Sequence, residues 1–137
     1  MKRILYTSYN TWRKLKDKDN FYFIATSFTI PKYYIGYRYL KLTPSKELFF
    51  ITHKEGYEPN TYYKRYLNEI SKYKKKDIIN ELLALTDKQI VLLGWEEYKV
   101  YGECQFLIEW LFNLEKNQSL EFALENNLYQ ELDFLNL

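Results

Sequence analysis

The sequence has few of the cysteine, histidine, glycine and proline residues that several protein classes require. Its 137 residues include one cysteine, one histidine, four glycines and three prolines. A single cysteine cannot close an intramolecular disulfide, which excludes a disulfide-stapled secreted scaffold. One histidine and one cysteine cannot complete a zinc site of the His/Cys type. So few glycines and prolines also exclude collagen-like and linker-like chains.

Common nucleotide and hydrolase motifs are missing as well. The four glycines are scattered, so they form neither a G-x-x-x-x-G-K-[ST] loop nor a G-x-G-x-x-G turn. There is no G-x-S-x-G elbow, and an H-E-x-x-H motif would need a second histidine. A Ser-His-Asp triad would have to use His53, which lies near a predicted helix end where a histidine has a structural role. We therefore expect no cofactor and no metal.

Long hydrophobic runs are absent too. No run approaches the ~18 apolar residues of a membrane span, and the apolar run that follows Met1, Lys2 and Arg3 is shorter than the ~7–15 residues of a signal peptide. We expect a protein of the bacterial cytoplasm with no membrane partner. The abundance of Lys, Asn, Ile and Tyr indicates an AT-rich coding sequence, and hence a low-GC bacterium or its phage.

Aromatic residues, in contrast, are abundant, and charge is divided along the chain. Tyr, Phe and Trp make up 20% of the residues and hydrophobic residues 47%, which is typical of a folded domain. Residues 1–76 carry a net charge of +11 and residues 77–137 one of −9, which add up to the formal +2. Basic residues among aromatic ones are typical of nucleic-acid grooves. We favour the alternative that the two halves fold against each other, and rank nucleic acid as the weaker partner.

Three apolar segments predict the strands of a mainly parallel sheet. They are residues 3–9, 21–27 and 89–95, and the continuous apolar run at 90–93 is typical of a strand covered on both faces. Helices are predicted from a cap at Thr43, followed by Pro44, to about His53; from caps at Asn60 and Asp77; over Gly102 to Leu114; and from Ser119. These elements predict one small three-layer α/β domain with helices flanking the sheet.

In an open parallel sheet, ligands bind beyond the carboxyl ends of the strands. At that edge the sequence places Thr7, Ser8, Tyr9 and Asn10 after the first strand, Ser27 and Phe28 after the second, and Trp95, Glu96 and Glu97 after the third. The helix that begins at Gly102 would direct free N–H groups to an anion at the same edge. Tyr9, Trp12, Phe28 and Trp95 would form the aromatic walls of a pocket for a planar ring. Cys104 has acidic neighbours that raise its thiol pKa, so we do not expect it to be a nucleophile.

Five short blocks occur in a fixed order over residues 4–111. They are Tyr6-Thr7-Ser8-Tyr9, Lys41-Leu42-Thr43-Pro44-Ser45, and residues 63–70, 91–96 and 106–111. Their order and spacing resemble those of the small bacterial and viral proteins grouped as domain of unknown function 488. The resemblance implies an α/β fold for the whole chain and adds Lys41 and Ser45 to the candidate ligand-binding residues.

The chain departs from that family where reactive groups would lie. The family's C-H-R motif falls on Gly102, Glu103 and Cys104, its arginine after the second strand falls on Phe28, and a cysteine of its last strand falls on Gly94. The resemblance therefore implies a divergent member whose pocket binds without reacting.

The candidate residues favour a non-catalytic protein that binds a small molecule of nucleotide type. In a phage, such a protein could sequester a nucleotide signal of host defence. One alternative is a hydrolase-type enzyme that acts on a nucleotide or phosphorylated substrate, with Glu96 or Glu97 as general acid and base. Another is a protein–protein interaction or inhibitor module. Its oppositely charged halves would bind a partner or a second copy of the chain in a homo-oligomer. The sequence leaves these alternatives open.

Overall fold

The computed structural model describes residues 4–96 and 102–113. In chain order the elements are β1 (Ile4–Ser8), α1 (Tyr9–Leu15), β2 (Phe21–Ala25), β3 (Tyr37–Arg38), a 3-10 turn (Leu40–Leu42), α2 (Lys46–Glu55), α3 (Pro59–Ile70), α4 (Lys75–Leu83), β4 (Gln89–Gly94) and α5 (Glu103–Phe112). The helical segment predicted from Ser119, the predicted helix end at Leu114 and the candidate Glu97 lie outside the described residues.

The four strands form one parallel sheet in the order β1-β4-β2-β3. Strand β4 is central, because Val91 pairs with Leu5 on one side and with Phe23 on the other. Its residues 90–93 are fully buried, as the continuous apolar run predicts. The predicted α/β fold with a parallel sheet flanked by helices is therefore confirmed.

The two faces of the sheet carry separate cores. On one face, α1 packs its buried Trp12 and Leu15 over Val91 and Leu93. On the other face, Ile90 and Leu92 pack with residues of α2, α3, α4 and α5, Leu107 among them. Since neighbouring residues of a strand point to opposite faces, every residue of the apolar run in β4 enters one of the two cores. The result is the three-layer arrangement.

Helix α1 and strand β3 were not predicted. Helix α1 is short, but Tyr9, Trp12 and Leu15 recur at helical spacing and all three are buried. Its N-cap is Ser8, whose hydroxyl accepts the backbone N–H of Thr11 at 3.2 Å. The expected loop over residues 7–10 is instead the end of β1 and the start of this helix. Strand β3 has only two residues, too few to leave a pattern in the sequence.

The predicted helix caps are corrected at three places. Ser45 caps α2, accepting the N–H of Leu48 at 3.0 Å, whereas the Thr43 hydroxyl donates to the Tyr39 carbonyl. The cap of α3 is Glu58 rather than Asn60, because Pro59 takes the first helical position, where its missing N–H has no cost. The last correction concerns α4, which begins after Lys74, so that Asp77 lies in its first turn.

Contacts between the basic and acidic halves of the chain occur at the surface. The Lys41 ammonium lies 2.7 Å from a carboxylate oxygen of Glu81, and the Tyr39 hydroxyl donates to the same carboxylate at 3.0 Å. These contacts agree with two halves that fold against each other. The alternative in which the halves bind a partner or a second copy stays a prediction. Within the described residues, no helix has the length and apolar character needed to cross a bilayer.

Candidate functional site

A cleft of about 220 Å³ opens at the carboxyl ends of β2 and β4. We call it the aromatic cleft, because seven of the thirteen described residues that line it carry aromatic rings. The lining comes from the segment after β2, from α2 and the residue before its cap, from Tyr57 and the start of α3, from the end of β4 and from the first residue of α5. The described lining residues are Ser27, Phe28, Thr29, Pro44, Phe49, Thr52, His53, Tyr57, Tyr62, Tyr63, Trp95, Glu96 and Glu103.

One wall of the cleft is a row of rings from α2 and the β2 loop. The Phe28 ring lies 4.7 Å from the Phe49 ring, which lies 4.4 Å from the His53 imidazole. Phe49 and His53 are four residues apart, so they share one face of α2. Phe49 faces the cleft, while its neighbour Phe50 is exposed outside it, with the Lys46 ammonium over its ring.

Trp95 forms the rim of the cleft next to this wall. Its indole N–H donates to the Thr29 carbonyl at 3.0 Å, which joins the end of β4 to the loop after β2. The buried Tyr9 ring lies behind it in an edge-to-face contact at 5.1 Å. The Trp95 side chain is half exposed and held at two points, so it presents a fixed aromatic surface to the cleft.

A second wall of the cleft comes from Tyr57 and the start of α3. The Tyr62 ring lies 5.5 Å from Tyr57 and 5.1 Å from Tyr63. Tyr62 also reaches across to α5, where its hydroxyl donates to the carboxylate of Glu103. Burial raises the pKa of both Tyr62 and Tyr63, with Glu103 adding to the rise at Tyr62 and Tyr57 adding to it at Tyr63, so both hydroxyls stay protonated.

The carboxyl group of Glu96 occupies the N-terminus of α5. Its pKa is raised by burial, while hydrogen bonds from its own backbone N–H and those of Glu103 and Trp95 act in the opposite direction. It lies so close to Gly102 that a Cβ at that position would overlap it. The expectation of a free anion site at Gly102 is therefore corrected, since the chain's own Glu96 carboxyl lies against Gly102 and accepts the N–H of Glu103, the first residue of α5.

Glu103 is a second acid in the cleft. Its pKa is raised to about 7, mainly by burial, with the Tyr62 hydrogen bond acting to lower it and the nearby Glu96 carboxyl acting to raise it. Among the described residues that line the cleft there is no lysine or arginine. The described lining is therefore aromatic with two carboxyl groups at one end, and it contains none of the cations that a deeply bound phosphate requires.

Four of the predicted ligand-binding residues line this cleft: Ser27, Phe28, Trp95 and Glu96. Four others lie directly behind it without reaching the space. Thr7 and Ser8 are buried at the end of β1, Tyr9 bonds through its hydroxyl to the Ser27 hydroxyl at 2.5 Å, and Gly102 is covered by Glu96.

The remaining four predicted site residues are not brought to the cleft. Trp12 lies one turn of α1 beyond Tyr9, in the core on the α1 face of the sheet, with its ring 4.9 Å from Tyr34. Asn10 is exposed on the same helix. Lys41 pairs with Glu81. Ser45 caps α2 and also bonds through its hydroxyl to Glu69.

Sequence reasoning missed Tyr62, Tyr63, Phe49 and Glu103 as candidate site residues. Tyr62 and Tyr63 are consecutive, so they cannot both lie at the centre of one apolar helix stripe, and this was an available signal. Glu103 is the first residue of α5, and in the sequence it stands out only as an acidic neighbour of Cys104 and as a departure from the family's C-H-R motif. Cys104 itself is buried, and burial together with Glu103 and Glu96 raises its thiol pKa, as expected for a thiol that is not a nucleophile.

Comparisons with known proteins add no relative: no family model, no curated protein and no solved structure matches the chain. The resemblance to domain of unknown function 488 therefore stays a prediction. Within the described residues, no three acidic, histidine or cysteine side chains are grouped so that they could hold a metal ion.

The arrangement of Glu96 and Gly102 gives a testable prediction. In Gly102→Ala, the new Cβ should displace the Glu96 carboxylate from the α5 N-terminus, at a cost of about 1 kcal/mol, typical of a lost helix cap. Because the Glu96 carboxyl raises the pKa of Glu103, its removal should lower that pKa below 7. An NMR titration of 13C-labelled glutamate carboxyls measures this shift.

The control is Gly36→Ala, where a Cβ would also overlap a side chain, the buried Tyr34 with its hydroxyl at 2.6 Å, away from the cleft. This variant should leave the Glu103 titration unchanged. An unaltered Glu103 pKa in Gly102→Ala would contradict the position of the Glu96 carboxyl described above.

Proposed function

We propose that this protein binds a small molecule of nucleotide type in the aromatic cleft without transforming it. The observation that carries the proposal is that two groups of rings line one cleft, one with Phe28 and Phe49 and the other with Tyr62, next to the Trp95 rim. Flat aromatic walls with a few polar groups at one end are what a planar heterocycle needs, since the rings stack and the polar groups fix its orientation.

The electrostatics of the cleft set the direction in which the ligand binds. Glu96 and Glu103 are inside, and the lining has no lysine or arginine among the described residues. A phosphate placed there would meet carboxylates rather than cations. The base therefore enters the cleft, and the sugar and phosphate stay at its open mouth in water.

Binding is tested by isothermal titration of the wild-type protein with a panel of nucleoside monophosphates. Two neighbouring residues give a matched pair of variants, because Phe49 lines the cleft and Phe50 does not. Phe49→Ala should raise the Kd about 5- to 150-fold, the equivalent of ~1–3 kcal/mol for one stacked base. Phe50→Ala should bind like the wild type. Flat traces for every nucleotide would refute the proposal.

The sequestration role requires that the ligand leave the protein unchanged. After the titration, the protein is denatured and the released nucleotide is identified by chromatography and mass spectrometry. Recovery of intact ligand supports a protein that holds a nucleotide signal, which is the role we propose for it in a phage. Recovery of a product would instead support an enzyme.

A hydrolase-type enzyme is the second candidate, and one observation favours it. Glu103 has its pKa raised to about 7 and lies beside Glu96, and a carboxyl that titrates near neutral pH suits general acid–base catalysis. The enzyme would release product from one of the nucleotides in the panel, and Glu103→Gln would abolish that release while leaving binding measurable. Intact nucleotide after prolonged incubation with wild-type protein excludes this candidate for the panel.

A further inference from the structure

The end of the aromatic cleft offers a hydrogen-bond acceptor in Glu103. Its carboxyl group is a carboxylate above its pKa of about 7, and among the described residues the Tyr62 hydroxyl is the donor that reaches it. A carboxylate has about four lone-pair sites on two oxygens, so one hydroxyl leaves room for two further donors. Glu96 can accept fewer further hydrogen bonds, because three backbone N–H groups already donate to it.

We propose that the cleft selects a guanine-type base, held between the aromatic walls with its Watson–Crick edge toward the Glu103 carboxylate. This inference rests on the proposed function and adds the identity of the base. Guanine carries two adjacent donors on that edge, the N1–H and the 2-amino group, and a carboxylate accepts both at once in a bidentate pair. The Tyr62 hydroxyl, which bonds to the same carboxylate, fixes its plane relative to the walls.

Other bases fit this end less well. Adenine has an unprotonated N1 on the same edge, and its lone pair would face the carboxylate. Hypoxanthine keeps the N1–H but lacks the 2-amino group, so it forms one of the two bonds. Uracil has a single N–H between two carbonyl oxygens, and those oxygens would approach the carboxylate. The expected order of affinity is therefore guanine, then hypoxanthine, then adenine.

The experiment compares the Kd values of GMP, IMP and AMP by isothermal titration with the full chain. A good bidentate pair discriminates by ~1–3 kcal/mol, so GMP should bind about 5- to 150-fold more tightly than AMP. Glu103→Gln removes the charge and one acceptor. In this variant the Kd values of GMP and AMP should therefore differ by no more than about threefold. Thermal unfolding of the variant verifies that it is folded.

A probe without a ring separates the contribution of hydrogen bonding to Glu103 from that of stacking on the aromatic walls. Methylguanidine carries paired N–H groups but no fused ring to stack, so it should bind more weakly than GMP. Binding of methylguanidine as tight as that of GMP would overturn the inference in favour of a site for organic cations. Equal Kd values for GMP and AMP would overturn the inference and leave the proposed function standing, whereas the absence of binding by all three nucleotides would refute both.

Discussion

Replacing Glu103 by glutamine is expected to stabilise the protein above pH 7. In the folded protein the pKa of Glu103 is raised to about 7, mainly by burial, against an ordinary value of 4.5. The folded state therefore holds a proton that the unfolded state has already released between these two pH values. Stability that is present below pH 4.5 is lost as the pH rises through 7, by up to about 3 kcal/mol. A glutamine is neutral throughout and escapes this loss.

Urea unfolding between pH 4 and pH 8 measures the effect. The free energy of unfolding of wild type should fall across this range by more than that of Glu103→Gln, and the two should differ most at pH 8. Glu47→Gln is the matched control, since Glu47 is an exposed acid in the first turn of α2, at a place equivalent to that of Glu103 in α5. Its pH dependence should follow the wild type. An equal fall in both glutamine variants would contradict the buried position of Glu103.

The sheet could be predicted from the sequence because its central strand leaves a strong pattern. Residues 90–93 are apolar without interruption, and only a strand covered on both faces can bury all four of them. Helix α1 could not be recognised in the same way. Its seven residues give only three apolar positions at helical spacing, Tyr9, Trp12 and Leu15, and it begins immediately after β1 with no loop between them. Its cap, Ser8, reads in the sequence as the start of a loop.

The location of the site at the carboxyl edge of the sheet could also be predicted, because parallel topology brings the ends of β2 and β4 together. Phe28, Trp95 and Glu96 needed nothing more than this rule. Tyr62 and Glu103 could not be found, because their meeting depends on how α3 packs against α5 across 41 positions of sequence. Side chains joined by helix packing leave no local signal.

The prediction that a ligand anion binds at the N-terminus of α5 is wrong for a reason that can be stated. The rule that a helix N-terminus attracts an anion holds for α5, but the anion is the carboxylate of Glu96. The sequence predicts Glu96 and Gly102 as two separate features of one ligand site. The lack of a side chain at Gly102 is what admits the carboxylate, so the two residues act as one structural unit.

Truncation of Tyr66 is expected to have the largest effect on stability. The side chain is fully buried in the core under α3, its ring stacks 5.4 Å from that of Phe106, and its hydroxyl donates to the Leu42 carbonyl. Tyr66→Ala leaves a cavity and should lower the free energy of unfolding by about 3–5 kcal/mol. Tyr66→Phe keeps the ring but leaves the Leu42 carbonyl without its donor, and should cost about 1–3 kcal/mol.

The two variants also separate the core from the cleft. Tyr66 lies behind Tyr62, with ring centroids 6.1 Å apart, and does not line the cleft itself. Tyr66→Phe keeps the surface on which Tyr62 rests, so the Kd of a bound nucleotide should not change, whereas urea unfolding should show the lost hydrogen bond. Equal stability of Tyr66→Phe and wild type would mean that the Leu42 carbonyl finds another donor. A Tyr66→Phe variant as unstable as Tyr66→Ala would mean that the hydroxyl, rather than the ring, holds α3 on the sheet.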